Sequence, residues 1–163
     1  MKESISNALV MNLVIIFLFI FVILFAGSTA YTKAFKVKNK IISIIEKRES
    51  TILASGFNAG NFSVFDEIEL ALNDAGYRIE LNVDQKCIDA MKNRFKNTNY
   101  NYNVINAGSS TYNYCIAEFY NPDSALNGKY YAVITYMYFE IPLLGTTLEF
   151  PVYGETKTLG IAY

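Results

Sequence analysis

Hydrophobic positions along the chain fall into three successive patterns. The first is continuous. From Ala8 to Gly27 only Asn12 is strongly polar, and Leu13 to Ala26 is wholly apolar. A helix of that length spans roughly 30 Å, the thickness of a bilayer core. A helix apolar on every face belongs in lipid or a deep core, and a domain of this size has no interior able to enclose it. Residues 1–30 are therefore expected to form a transmembrane helix. The second pattern is a stripe. Ala34, Val37, Ile41 and Ile44 recur at steps of three, four and three, with Ile45 beside them, which is the spacing of an amphipathic helix. Lys36, Lys40, Lys47 and Arg48 fall largely off the stripe. Neither Gly nor Pro interrupts residues 28–54, and Gly56 can end the helix. One continuous helix from about residue 5 to 54 follows, with residues 31–55 as a stalk whose stripe must pack on something.

The third pattern, over residues 56–163, alternates between helical and strand periods. Ser63 with Asp66 resembles a capping box, although the box prefers Glu or Gln at its end. Phe65, Ile68, Leu72 and Ala75 then follow at helical spacing up to Gly76. Ile79, Leu81 and Val83 alternate with polar residues, as in a half-buried strand. Ile88, Met91 and Phe95 predict a short helix over residues 85–97. Residues 97–113, rich in Asn, Tyr, Gly and Ser, read as a loop with a short strand at Asn103–Ile105. Beyond them the chain reads as β. Tyr112–Tyr120 sets Cys115, Ala117 and Phe119 on one face, and Tyr130–Ile141 carries aromatic and β-branched residues on both. Leu148, Phe150 and Val152 form a last strand, where Pro151 argues for an edge position. The expected class is α+β: a long helix packed on a small antiparallel sheet.

Composition sharpens this reading by exclusion. The chain of 163 residues is 52% hydrophobic and only 18% charged, against about 25% charged in an ordinary soluble domain. It contains no His, so it lacks the side chain most used for proton transfer near neutral pH and the commonest metal ligand. The formal net charge of −1 argues against a nucleic-acid binder. That small value conceals an asymmetry. Residues 28–50 carry six basic and two acidic side chains, whereas residues 51–163 carry seven basic and twelve acidic. A basic juxtamembrane stretch attracts anionic headgroups, and an acidic head suits a neighbour's basic stalk. Both are equally served by plain solvation.

Three points of the membrane reading stay open in the sequence. Ser28 and Ala30 have the spacing of a signal-peptidase site, but signal h-regions run about 7–15 residues, shorter than this one. Asn12 is either a polar residue near the interface or a hydrogen-bonding contact between membrane helices. Lys33, Lys36, Lys38 and Lys40 follow the span and only Lys2 precedes it. This places the head in the cytoplasm by the positive-inside rule, although long domains translocate largely regardless of charge.

Cys87 and Cys115 are the two cysteines. Their spacing is neither a redox CxxC nor a zinc motif. The choice is a disulfide or two buried thiols, and a bridge favours an extracytoplasmic head. No phosphate-binding glycine loop and no nucleophile elbow occurs. Asp66, Glu67 and Glu69 read as first-turn acids favoured by the helix dipole. Asn61-Phe62-Ser63 is a formal glycosylation sequon, with Ser63 better placed as a cap. No catalytic, metal-binding or cofactor-binding residue is expected, and no small-molecule substrate. Eleven of the thirteen tyrosines lie at or after residue 100. They are either sheet formers or a surface for other subunits.

The layout resembles type IV pilin-like proteins. The correspondence runs through the apolar helix Ala8–Gly27, its amphipathic continuation Tyr31–Leu53, and the strands from Tyr112 onward. It is closest to the TadE-like minor pilins of tight-adherence pili. The segment Ala132–Gly145 is similar to their late strand ending in a Pro-containing turn. The resemblance implies a single-pass bacterial membrane protein, non-enzymatic, whose partners are the lipid bilayer and other pilin-like or assembly-platform subunits. The alternative expectation is a membrane-tethered extracytoplasmic binding or sensor domain, with the Tyr/Asn-rich residues 97–114 as its recognition loop.

Overall fold

The structure is a computed structural model that describes residues 2–58, 63–75, 84–95, 101–106, 114–120, 128–140 and 147–160. Its elements are α1 (Lys2–Lys47), α2 (Glu49–Ser55), α3 (Val64–Asp74), α4 (Asp84–Arg94), β1 (Asn101–Asn106), β2 (Tyr114–Tyr120), β3 (Lys129–Glu140) and β4 (Thr147–Glu155). The strands form one antiparallel sheet in the order β1-β2-β3-β4. The class is α+β, a long apolar N-terminal helix packed on a four-stranded sheet. The expected strand at Ile79–Val83, the stop at Gly76 and the sequon residues Asn61 and Phe62 lie outside the described residues.

The expected continuous helix to residue 54 is instead divided at Arg48, which takes φ −95° and ψ 16°. The hydrogen-bond ladder still bridges the bend. Arg48 N donates to Ile44 O at 3.0 Å, and Ile52 N donates to Arg48 O at 3.0 Å. The bend accompanies two gains. Arg48 Nε reaches Glu67 Oε2 of α3 at 2.8 Å, and Ile52 is buried in the core. Gly56 then closes α2 with φ 78°, its amide donating to Ile52 O. A side chain tolerates that φ poorly, and glycine adopts it freely.

α3 begins as its sequence suggests. Ser63 Oγ accepts from Asp66 N at 3.1 Å, while Ser63 N donates to Asp66 Oδ2 at 2.7 Å. The aspartate thus completes the reciprocal box despite its shorter side chain. Val64, Ile68 and Leu72 form its buried face.

The sheet is covered on both sides. On one face Tyr114, Ile116, Tyr131 and Val133 pack with Val37, Ile41, Ile44 and Ile45 of α1 and with Val64, Ile68 and Leu72 of α3. On the other, Cys115, Ala117, Phe119, Ala132, Ile134 and Tyr136 pack with Cys87 and Met91 of α4. Ring contacts mark both layers: Phe57 meets Tyr131 edge-on at 5.3 Å, and Phe119 stacks on Tyr130 at 5.1 Å. β4 lies at an edge, as Pro151 requires, and β1 carries a bulge between Val104 and Asn106.

Candidate interaction surface

α1 presents two surfaces of opposite character. Between Leu9 and Phe25 nearly every large apolar side chain is exposed, with only Phe19 and Ile23 partly covered. The described residues of the head bury none of this stretch, which is long and apolar enough to cross a membrane. Asn12 is exposed within it. Beyond Gly27 the stripe turns inward: Ala34, Val37, Ile41, Ile44 and Ile45 are all at most 4% exposed. The stripe marks the sheet-facing side because each of its residues returns to one face of the helix every three or four positions.

Polar contacts fix the register between stalk and sheet. Thr135 Oγ1 of β3 donates to Ala34 O at 3.0 Å across a buried contact. Lys157 N donates to Glu46 Oε1 at 2.9 Å, and Gly160 N donates to Glu49 Oε1 at 3.0 Å. β4 approaches the helix closely at Gly154. A Cβ there would meet Lys38 Cδ at 2.6 Å and Ile42 Cδ1 at 2.8 Å.

Lys38 is the residue that charge counting misplaces. Counted among the juxtamembrane cations, it is buried along its stem, and its Nζ sits 4.1 Å from the centre of the Phe35 ring. Burial lowers its pKa from the usual lysine value. The signal was present in the sequence. Lys38 lies four residues after Ala34 and three before Ile41, on the stripe itself.

The flank of the stalk beside α3 mixes lysines and hydroxyls with the apolar Val37, Ala71 and Ala75. A groove of about 660 Å³ runs between α1 and the end of α3, lined by Ser28, Thr32, Lys33, Lys36, Lys40 and Asp74 among others. Thr29 and Thr32 donate their hydroxyls to the helix carbonyls four residues earlier, at 3.0 and 2.9 Å. Part of the charge asymmetry is resolved within the chain. Arg48 and Lys47 pair with Glu67 of the head, and Lys157 of the head pairs with Glu49.

Cys87 and Cys115 form a disulfide that ties α4 to β2, with Cα atoms 5.8 Å apart, inside the usual range. Both cysteines are fully buried, and the Tyr136 hydroxyl lies 3.7 Å from the Cys115 sulfur.

Among the strand tyrosines whose side chains are described, three turn inward and four are partly exposed. Tyr114, Tyr131 and Tyr136 are buried, and Tyr120, Tyr130, Tyr138 and Tyr153 are half-buried. Burial, then neighbouring Glu118 and its hydrogen bond, raise the pKa of Tyr131. Burial, with Tyr153 and Glu149 nearby, does the same for Tyr136. Among the described residues no group of three or more Cys, Asp or Glu side chains is placed to hold a metal ion. The suggested recognition loop over residues 97–114 lies mostly outside the described residues. No protein-family model matches the chain, and no curated protein or solved structure is significantly similar to it.

Proposed function

We propose that the protein is a non-enzymatic, single-pass membrane subunit or assembly factor of a bacterial pilus or related secretion filament, of the pilin-like kind and nearest the TadE-like minor pilins. The observation that carries this reading is the division of labour along α1. The unbroken helix Lys2–Lys47 is covered by its own head over the stalk, while its apolar N-terminal half is buried by none of the described residues. Lipid satisfies that half before assembly, and neighbouring helices can replace lipid afterwards, with Asn12 able to form an interhelical hydrogen bond.

The head faces the extracytoplasmic side in this reading. The Cys87–Cys115 bridge supports that side because disulfides persist in oxidising compartments. The lysines that follow the span argue for the other side. Labelling intact cells with a membrane-impermeant maleimide, after Thr158→Cys on the exposed surface, decides between them. Labelling from outside is the expected result, and protection would overturn the pilin reading. Imaging of surface filaments with and without the protein tests the assembly role; unchanged filaments would count against it.

A second reading is a membrane-tethered binding or sensor domain. The observation in its favour is the groove beside Lys33, Lys36 and Lys40. It requires a head that stays monomeric and binds an anionic ligand there, which sedimentation and titration calorimetry distinguish from assembly.

A further inference from the structure

The contacts between stalk and sheet fix how far the head extends toward the apolar span. Thr135 touches Ala34, and Thr135 pairs with Val152 of β4. β4 runs alongside α1 in the same direction, since Gly154 sits on Lys38 and Ile42 while Lys157 and Gly160 reach Glu46 and Glu49. Going back along β4 from Val152, Phe150 lies about 7 Å and Leu148 about 13 Å nearer the N-terminal end of the helix at the usual strand rise. At 1.5 Å per helical residue these steps equal about four and about nine residues. Phe150 is thus level with about Ala30, and Leu148 with about Phe25, inside the last turn of the apolar run.

Both side chains are on the outside. Phe150 is 48% exposed and Leu148 38% exposed. On α1 at the same end, Tyr31 and Phe35 stack at 6.2 Å and are 52% and 41% exposed. Phe35 lies on the β4 side of the helix, because Lys38 spans from its ring to Gly154. These four side chains are spread over about 15 Å along the helix axis, from the last turn of the apolar run outward, with the amphipathic tyrosine among them, as interfacial residues are. Apolar residues left exposed together mark an interaction site rather than chance. Their level along the helix identifies the occupant as lipid.

We infer that the head is seated on the membrane, with the Leu148–Phe150 end of β4 and the Tyr31–Phe35 pair immersed in the headgroup and upper acyl region of the bilayer. This rests on the reading of Ala8–Gly27 as a membrane span. The head then does not stand clear of the surface on a free stalk, and its tilt relative to the bilayer is set at two places, the helix and the strand.

The chain has no Trp, so a single introduced indole is a unique reporter. Four full-length variants are compared in phosphatidylcholine–phosphatidylglycerol vesicles containing nitroxide-labelled lipid: Phe21→Trp in the span, Phe150→Trp and Leu148→Trp at the proposed contact, and Leu53→Trp at the far end of the stalk. The expected result is a blue-shifted emission for F150W and L148W, quenched most by a nitroxide near the headgroup. F21W should be quenched most by a nitroxide deep in the acyl chain, and L53W by neither. Solvent-like, unquenched emission from F150W and L148W, with F21W quenched, overturns the seating and leaves the span intact. Blue-shifted but unquenched emission also overturns it, because the strand end is then covered by protein, such as a second copy. Failure of F21W to quench overturns the membrane reading itself.

Discussion

The Cys87–Cys115 bridge offers the most quantitative test of how the head is held together. Its two sulfurs join α4 to β2 across 28 residues of sequence. In the chain-entropy treatment a loop of that length removes about 12 cal/mol/K from the unfolded ensemble, or about 3.6 kcal/mol at 25 °C. Reduction leaves two thiols in the same buried cluster with Met91, Phe119 and Ile134, where they behave as small hydrophobic side chains. The native state therefore loses little, and most of the effect lies in the unfolded chain. The assay is urea unfolding of the full chain in detergent micelles, followed by near-ultraviolet circular dichroism of the tyrosines, with and without reductant. With an m-value of about 2 kcal/mol/M, reduction moves the midpoint down by about 2 M. The Cys87→Ala/Cys115→Ala variant moves it at least as far, because it adds a small cavity. A midpoint shift under about 0.5 M in both experiments would refute the loop-closure reasoning.

Three further outcomes follow from the fold. Ile41→Ala, at a fully buried position between stalk and sheet, should destabilise the head by about 2–5 kcal/mol in the same urea assay; a loss under 1 kcal/mol, on the order of a surface change, would mean that the stripe does not hold the sheet. Ser63→Ala removes the hydroxyl half of the α3 cap, which accepts from Asp66 N, and leaves the backbone half from Ser63 N to Asp66 Oδ2; it should cost about 1 kcal/mol, with Ser63→Thr restoring most of it. Tyr131 and Tyr136 have pKa values raised above the ordinary 10.0 by burial first. The folded state therefore keeps their protons longer than the unfolded state does. Stability is fully present below pH 10 and falls as pH rises above it. Alkaline titration monitored by circular dichroism should show that fall, and the Tyr131→Phe/Tyr136→Phe variant should show a shallower one.

The stalk was the most legible part of the sequence because helical period and apolar spacing coincide over Ala34–Ile45, and burial there follows the stripe. The strands were legible for a related reason: alternation at Cys115, Ala117 and Phe119 correctly placed one face of β2. The same rule misses that Tyr114 and Ile116, on the opposite face, are equally buried. Alternation implies a solvent face, and only the arrival of α4 on one side and α1 with α3 on the other removes it. The bend at Arg48 was invisible because no Gly or Pro marks it. It coincides with a long-range ion pair to Glu67 and the burial of Ile52, both tertiary events. Lys38 lies on the stripe by position, and its burial follows that position rather than its charge.

The absence of a break between Lys2 and Lys47 has a mechanical consequence. At 1.5 Å per residue the helix is a strut about 69 Å long, and the sheet lies along it with β3 and β4 running beside its axis. A pull along the strut loads that contact in shear, so Thr135, the stripe residues and the β4 contacts at Gly154 resist together rather than opening one after another. The molecule is thus stiff to traction along the helix, and a load on the apolar segment passes into the whole stalk–sheet contact at once.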